Sequence, residues 1–427
     1  MLKLVEKKRL IELLSHKDGR VITTATSALA RFYPGSGNVI GSLLKAIRST
    51  KIDKLSLTVK FKYFMPTDDD VLEILRLLMG AQDKTDIDSE LLQWHLTAAL
   101  YEFPFPLLEK NASSFSFNEW LSEILETARE RQEIMNLEPG ILWEKLEQVC
   151  FDIGDEPIEI EEDDYAQLLV TALSKKGEPI KHKVVMYISQ GAMENYHLIF
   201  YLVKLAGKLK LAETVPYLFT ILAITDPADP INEWCIWSLG NIGTPDVVEK
   251  IKVLYPRCEE IRGYFADILK YIPYPYAEDM AIKLLKKEQD LETKTYLANA
   301  LNSIFSIKSG ELILDLIRKR QYYPTLISLL DDLIPVYVYH GRTIPNLAEL
   351  EKADKKFRKE FSKTDPLLQS MLRQSREYLE ELGELDEKEN ADDRDRNMNV
   401  EESLAEIIKL PTRRSSSKKK NKKRKDK

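Results

Sequence analysis

The chain has 427 residues, is 44% hydrophobic and carries a formal net charge of −7. That length exceeds what one hydrophobic core usually serves, so several domains or an elongated repeat array are expected, and only 16 glycines suit long helices better than turn-rich sheets. Ten Lys or Arg against one Asp between Arg413 and Lys427 give +9, which leaves −16 on residues 1–412 and makes an acidic body with a basic tail.

The N-terminus, MLKLVEKKRLIELL, alternates charge with leucine in a helical pattern and lacks the uncharged apolar stretch of a signal peptide. No window approaches the roughly 18 apolar residues that a membrane span needs. Cys150, Cys235 and Cys258 lie far apart with no CxxC pair, which argues against a disulfide framework or a thiolate zinc site and favours a reducing, cytoplasmic setting.

Residues 1–110 read as about three helical units. In SHKDGRVITTATSALARFYPGSGNVIGSLLKAI, Ser15, Asp18 and Gly19 make a turn and Val21 to Phe32 form a helix. Pro34, Gly35 and Gly37 then break it. A similar aromatic and proline break recurs in KYFMPTDDDVLEILRLL and YEFPFPLLEK. Residues 111–180 are less regular. NASSFSFNEWLSEILETARERQEIM predicts a longer amphipathic helix capped by Ser114 or Asn118, and GDEPIEIEEDD follows as an acidic run, read as a solvated loop.

Regular units resume over residues 181–340. In TDPADPINEWCIWSLGNIGTPDVVEKIKVL, Pro227 and Pro230 precede a helix, and Gly240 and Gly243 close it. Thr244 is expected to cap the next, with Pro245 at its first position. KYIPYPYAEDMAIKLL repeats the event: the aromatic rings are expected to seal the seam with the neighbouring unit while proline stops the helix. Anchored on the apolar residue at each helix end, Tyr33 to Met65 spans 32 residues, Ile242 to Ile272 spans 30 and Ile272 to Ile304 spans 32. Residues 341–385 predict a charged helical cap, and residues 386–427 a flexible linker and disordered basic tail.

SLGNIGTPDVVEKI resembles HEAT repeats of the short bacterial kind, which also occur in phycobilisome lyase-like proteins, and the resemblance extends over about half the chain. It implies an all-α protein, an α-solenoid of HEAT-like antiparallel helix pairs. Each pair is too thin to bury its own apolar face, so stability is expected from stacking.

His16, His95, His182, His197 and His340 have no HxxxH or HxxE spacing, and no catalytic, cofactor or metal residue is assigned. GxGxxG, GxxxxGK[ST] and GxSxG are absent. The acidic run lacks the DxDxDG order and glycine turn of an EF-hand. Trp234 and Trp237 stand three apart on one helix beside Glu233, so this trio is the candidate partner-binding group. Packing of the two indoles into an inter-helix seam is the competing reading. HEAT-fold DNA glycosylases hold a damaged base with aromatic and carboxylate side chains, but they need a basic track that an acidic body does not suggest.

In the tail, Arg413, Arg414, Lys418, Lys419, Lys420, Lys422, Lys423, Arg424 and Lys425 have the charge density to engage phosphates or acidic surfaces, and in a eukaryotic host they resemble a nuclear import signal. The expected function is a non-catalytic protein-binding scaffold, its concave face favouring a basic protein partner and its tail acting as an electrostatic tether. A nucleic-acid-binding or -processing protein, reaching nucleic acid or the ribosome through the tail, is the alternative. An enzyme accessory like the bilin lyases, implied by the resemblance alone, is the second alternative.

Overall fold

A computed structural model describes residues 3–49, 54–79, 87–113, 119–154, 158–190 and 195–365, together with residues 369, 370 and 373. Among them are 21 α-helices, two 3-10 turns and no strand. The first helices are α1 (Lys7–Leu13), α2 (Gly19–Phe32), α3 (Ile40–Ser49), α4 (Lys54–Thr58), α5 (Asp68–Met79), α6 (Ile87–Tyr101) and α7 (Phe105–Ala112). Next come α8 (Glu119–Asn136), α9 (Pro139–Ile153), α10 (Ile160–Lys176), α11 (Glu178–Ser189), α12 (Tyr196–Leu209), α13 (Val215–Ile224) and α14 (Ile231–Ile242). The last are α15 (Pro245–Leu254), α16 (Arg262–Leu269), α17 (Pro275–Leu285), α18 (Leu291–Ser303), α19 (Gly310–Lys319), α20 (Leu329–Tyr339) and α21 (Leu347–Ser362).

Residues 1–350 form one compact unit. Within it the even-numbered helices pack in order from α2 through α20, and α20 packs back on α2, so ten helices form a closed circuit. Every odd-numbered helix from α1 to α19 packs on an even one. The chain is therefore all-α and repeat-like, with sequential helix pairs. Of the second unit, residues 351–427, the described part is the end of α21 and the turn after it, where Thr364 N–H donates to the Phe361 carbonyl at 2.9 Å.

Local chemistry explains where the helices stop. Asp18 accepts from Arg20 N–H at 2.9 Å and starts α2 two residues earlier than Val21. Asp290 starts α18 by accepting from Thr293 N–H at 2.7 Å. Gly243 ends α14 with φ +55°, the left-handed cap that glycine adopts without strain. Thr244 holds the expected cap position of α15, but its hydroxyl makes no capping bond and is buried without a partner; Pro245, with its fixed φ, begins that helix.

The breaks bond to one another. Gly35 N–H donates to the Tyr63 carbonyl at 2.7 Å, and Met65 N–H to the Ser36 carbonyl at 3.2 Å. The Tyr276 hydroxyl donates to the Gly243 carbonyl, so the aromatic residue after one break closes on the break before it.

Glu161, Glu162 and Asp163 form the first turn of α10 rather than a loop. Carboxylates are stabilised there by the unpaired N–H groups at the helix start, and the Glu162 side chain accepts from Glu159 N–H at 3.1 Å. Residues 155–157 of the acidic run, Ser114 and Asn118 lie outside the described residues, as do the second half of the charged cap and residues 386–427 with the basic tail.

The core lies between the two layers and along the circuit. Tyr201, Leu202, Val203, Leu205 and Ala206 of α12 are fully buried, as are Cys235 and Leu239 of α14. These helices approach closely because Gly207 faces Ser238: a Cβ built on Gly207 would lie 2.5 Å from Ser238 Oγ and 2.7 Å from its Cα. The Ser238 hydroxyl uses the gap to donate to the Val203 carbonyl at 2.7 Å.

Candidate functional site

With odd-numbered helices packed on them, the even-numbered helices leave a face towards the middle of the circuit. Electrostatics ties cations near this face to charges on other elements of the circuit. Lys204 of α12 responds to Lys62 in the 3-10 turn Phe61–Tyr63 and to Glu102 just after α6. Lys208, one turn further along α12, responds to Glu102 and to Lys175 of α10. Lys60 responds to Arg31 of α2, and Arg31 to Asp267 of α16 and Asp332 of α20.

Lys204 is the centre of a ladder across three adjacent helices. Its ammonium donates to the Gln167 side-chain oxygen of α10 and lies 3.9 Å above the Trp234 ring of α14. Gln167 donates to Asp163 Oδ1 at 3.0 Å, and the Tyr201 hydroxyl donates to the same oxygen at 2.8 Å. Trp234 meets Trp237 edge-on at 5.9 Å and Phe200 edge-on at 6.1 Å. Lys208 donates to Thr171 Oγ1 at 3.4 Å. Trp234, Trp237, Lys204 and Lys208 are all half-buried.

The cations here are only partly compensated: Asp163 and Glu102 act on Lys204 and Glu102 on Lys208, but burial outweighs them. Among the described residues neither Lys204 nor Lys208 forms an ion pair. Burial, then the nearby Lys208 charge, pulls Lys204 from its ordinary 10.5 to about 7. Burial also lowers Lys208 and Lys60. On the opposite side of the circuit Asp332 is pushed up to about 6 by burial, despite a 2.9 Å hydrogen bond donated by Asn299.

The residues singled out from sequence are thus partly assembled. Trp234 and Trp237 come together on α14, while Glu233 beside them is exposed and makes no ion pair among the described residues. Lys204 and Lys208 escaped sequence reasoning although they carried a signal: two lysines four apart in the otherwise apolar helix YHLIFYLVKLAGKL. Lys62 and Glu102 carried none, because only the folded circuit brings them near α12.

Other chemistry-bearing groups are committed elsewhere. Burial pushes the Cys150 thiol up to about 12 and the Cys235 thiol higher still, so both stay protonated and unreactive. His16 accepts from Asp18 N–H at 3.1 Å, and His340 Nε2 lies 2.9 Å from the Phe305 carbonyl. A cavity of about 290 Å³ is bordered by Glu259, Glu260, Asp267, Asp290 and Glu292. Among the described residues no group of three or more His, Cys, Asp or Glu is arranged to hold a metal ion, and no helix is long and apolar enough to cross a membrane.

No family model matches the chain, and no curated protein matches it in sequence. Among solved structures it is similar to an engineered protein determined by the Northeast Structural Genomics Consortium. That similarity has 13% identity, covers 83% of this chain and 99% of the other, and has a TM-score of 0.25, too low to carry an argument about function.

Proposed function

We propose that this chain is a HEAT-like repeat scaffold that grips an extended protein segment on the inward face of its even-numbered helices, without catalysis. The observation that carries this reading is the pairing of two half-buried indoles, Trp234 and Trp237, with two lysines, Lys204 and Lys208, that form no ion pair among the described residues. Aromatic anchors supply contact area at low entropic cost, and under-neutralised cations select what lies against them. That local charge favours an acidic or phosphorylated segment over the basic partner suggested by the net charge of the body. The basic tail would add a salt-sensitive tether.

One observation favours a second reading. A lysine held over a tryptophan, with further cations nearby, is also the combination that holds single-stranded nucleic acid by stacking and phosphate neutralisation.

A photo-crosslinking amino acid at position 237 in the full chain separates the two. The scaffold reading expects one defined protein adduct that survives a moderate-salt wash, persists in a chain ending at Pro411 and is lost in Trp234→Ala. Adducts with nucleic acid that fade with salt support the second reading. Adducts with neither overturn both.

A further inference from the structure

A second site, not lined by Lys204, Lys208, Trp234 or Trp237, lies where the N-terminal segment meets the ends of α14 and α16. A cavity of about 360 Å³ is walled there by Lys3, Arg31 and Lys210 and by the rings of Tyr271, Tyr274 and Tyr276, and no carboxylate lines it. We propose that this cavity binds a nucleoside monophosphate, its phosphate held by Lys3, Arg31 and Lys210 and its base against the tyrosines.

The volume lies within the range of about 300–1,000 Å³ typical of small-molecule sites. Three cations around one cavity, in a chain with an acidic body, are costly unless an anion joins them. None of the three forms an ion pair among the described residues. Lys3 donates only to the Phe32 carbonyl at 3.2 Å and lies 4.5 Å from the Tyr33 ring centre. Arg31 donates to the Lys270 carbonyl at 3.4 Å and sits 5.1 Å from the Tyr271 ring centre. The charges of Asp267 and Asp332 reach Arg31 from outside the cavity. Burial and the Lys210 charge both lower Lys3, as expected of ammonium groups facing one another without an anion between them.

The ring wall fits the other half of a nucleotide. Tyr274 and Tyr276 are stacked nearly parallel, with centres 5.6 Å apart and planes 7° apart, and a base would lie against the outer face of the pair. The Tyr276 hydroxyl is committed to the Gly243 carbonyl, whereas the Tyr274 hydroxyl makes no hydrogen bond among the described residues. A phosphate flanked by a planar ring matches this order of cations and tyrosines better than a bare anion. The chain's own lysine-rich tail would be repelled.

The cavity shares no residue with the group of Lys204, Lys208, Trp234 and Trp237, and calorimetric titration of the full chain tests it directly. AMP is expected to bind saturably, with inorganic phosphate and adenosine each at least roughly tenfold weaker and with affinity falling as salt rises. Lys3→Gln combined with Lys210→Gln is expected to cost roughly tenfold or more, the loss of charge-assisted hydrogen bonds, while its circular-dichroism melt remains cooperative. Should that double variant misfold, Tyr274→Leu serves in its place, with a weaker AMP affinity and an unchanged phosphate affinity expected. Absence of AMP binding, phosphate alone binding as tightly as AMP, or a phosphotyrosine peptide binding more tightly each overturns the assignment. Trp237→Ala should leave AMP binding intact while abolishing capture on the inward face, so failure of either reading is visible without the other.

Discussion

Two seams in the same circuit are built differently. Between α12 and α14, neighbours in sequence, the join is apolar and tight: Gly207 admits Ser238, and Leu202, Leu205, Cys235 and Leu239 are fully buried around it. Between α20 and the N-terminal helices, more than 300 residues away in sequence, the join sets polar links beside buried apolar residues such as Leu29 and Leu333. The Tyr339 hydroxyl accepts from Glu6 N–H at 2.8 Å, and Arg9 Nε donates to the Tyr339 carbonyl at 2.5 Å. Arg20 bridges to Asp331 at 3.0 Å, and Leu4 N–H donates to the Pro273 carbonyl at 2.8 Å. Close steric fit thus marks the α12–α14 seam, and the closing seam adds hydrogen bonds and an ion pair to its apolar packing. The closing seam, which contains the Arg20–Asp331 ion pair, is accordingly the more salt-sensitive of the two.

The largest expected effect comes from spoiling the tight seam. Gly207→Ala places a methyl against the Ser238 backbone and should cost about 3 kcal/mol, read as a shift in the urea midpoint. Gly140→Ala on α9, where a Cβ meets nothing, is the control, and should instead stabilise by about 0.5 kcal/mol through helix propensity. At the closing seam, Tyr339→Phe removes one acceptor from Glu6 N–H and should cost about 1 kcal/mol. Amide hydrogen exchange should rise over residues 3–14 and stay unchanged in α12 and α14. A uniform rise would mean that the circuit opens as one unit, and the contrast between the seams would fail.

The same contrast governs how much of the molecule was legible in advance. Pro275 at the first position of α17, Gly243 at the end of α14 and the aromatic breaks are local signals, since each fixes its own backbone through φ or a missing N–H. The pairing of sequential helices follows from apolar periodicity. Closure does not, because polar residues such as Arg20 and Asp331 look like solvated surface until α2 meets α20. The cations went unread for the same reason: Lys3, Arg31 and Lys210 come from three separate segments, and only closure surrounds one cavity with them. Trp234 and Trp237 were legible as a pair from their spacing, but the lysine above Trp234 belongs to the preceding repeat.

Lys204 offers a smaller effect with a definite sign. Its folded value near 7 lies well below the ordinary 10.5, so between these pH values the unfolded chain binds the extra proton and stability rises with pH. Lys204→Met removes the buried charge. It should therefore raise stability by about 1 kcal/mol at pH 6, with the gain shrinking towards pH 10 as the wild-type lysine also becomes neutral. Melting curves across that range would show it. A gain that grows with pH would mean that the ammonium is stabilised by Trp234 and Gln167 more than it is penalised by burial.

The smallest effect tests the break that begins α15. Thr244 occupies a position where a hydroxyl normally accepts from a helix N–H, yet it makes no such bond and is buried without a partner. Thr244→Val keeps the branched shape and removes the unsatisfied group, so it should be neutral or stabilising by about 0.5 kcal/mol, where loss of a working cap would cost about 1 kcal/mol. The sign alone decides whether proline without a cap starts this helix, and repeating the measurement with AMP present carries the test further. Thr244 lines the nucleotide cavity, and an effect of the substitution on AMP affinity would assign its hydroxyl to the ligand rather than to the helix.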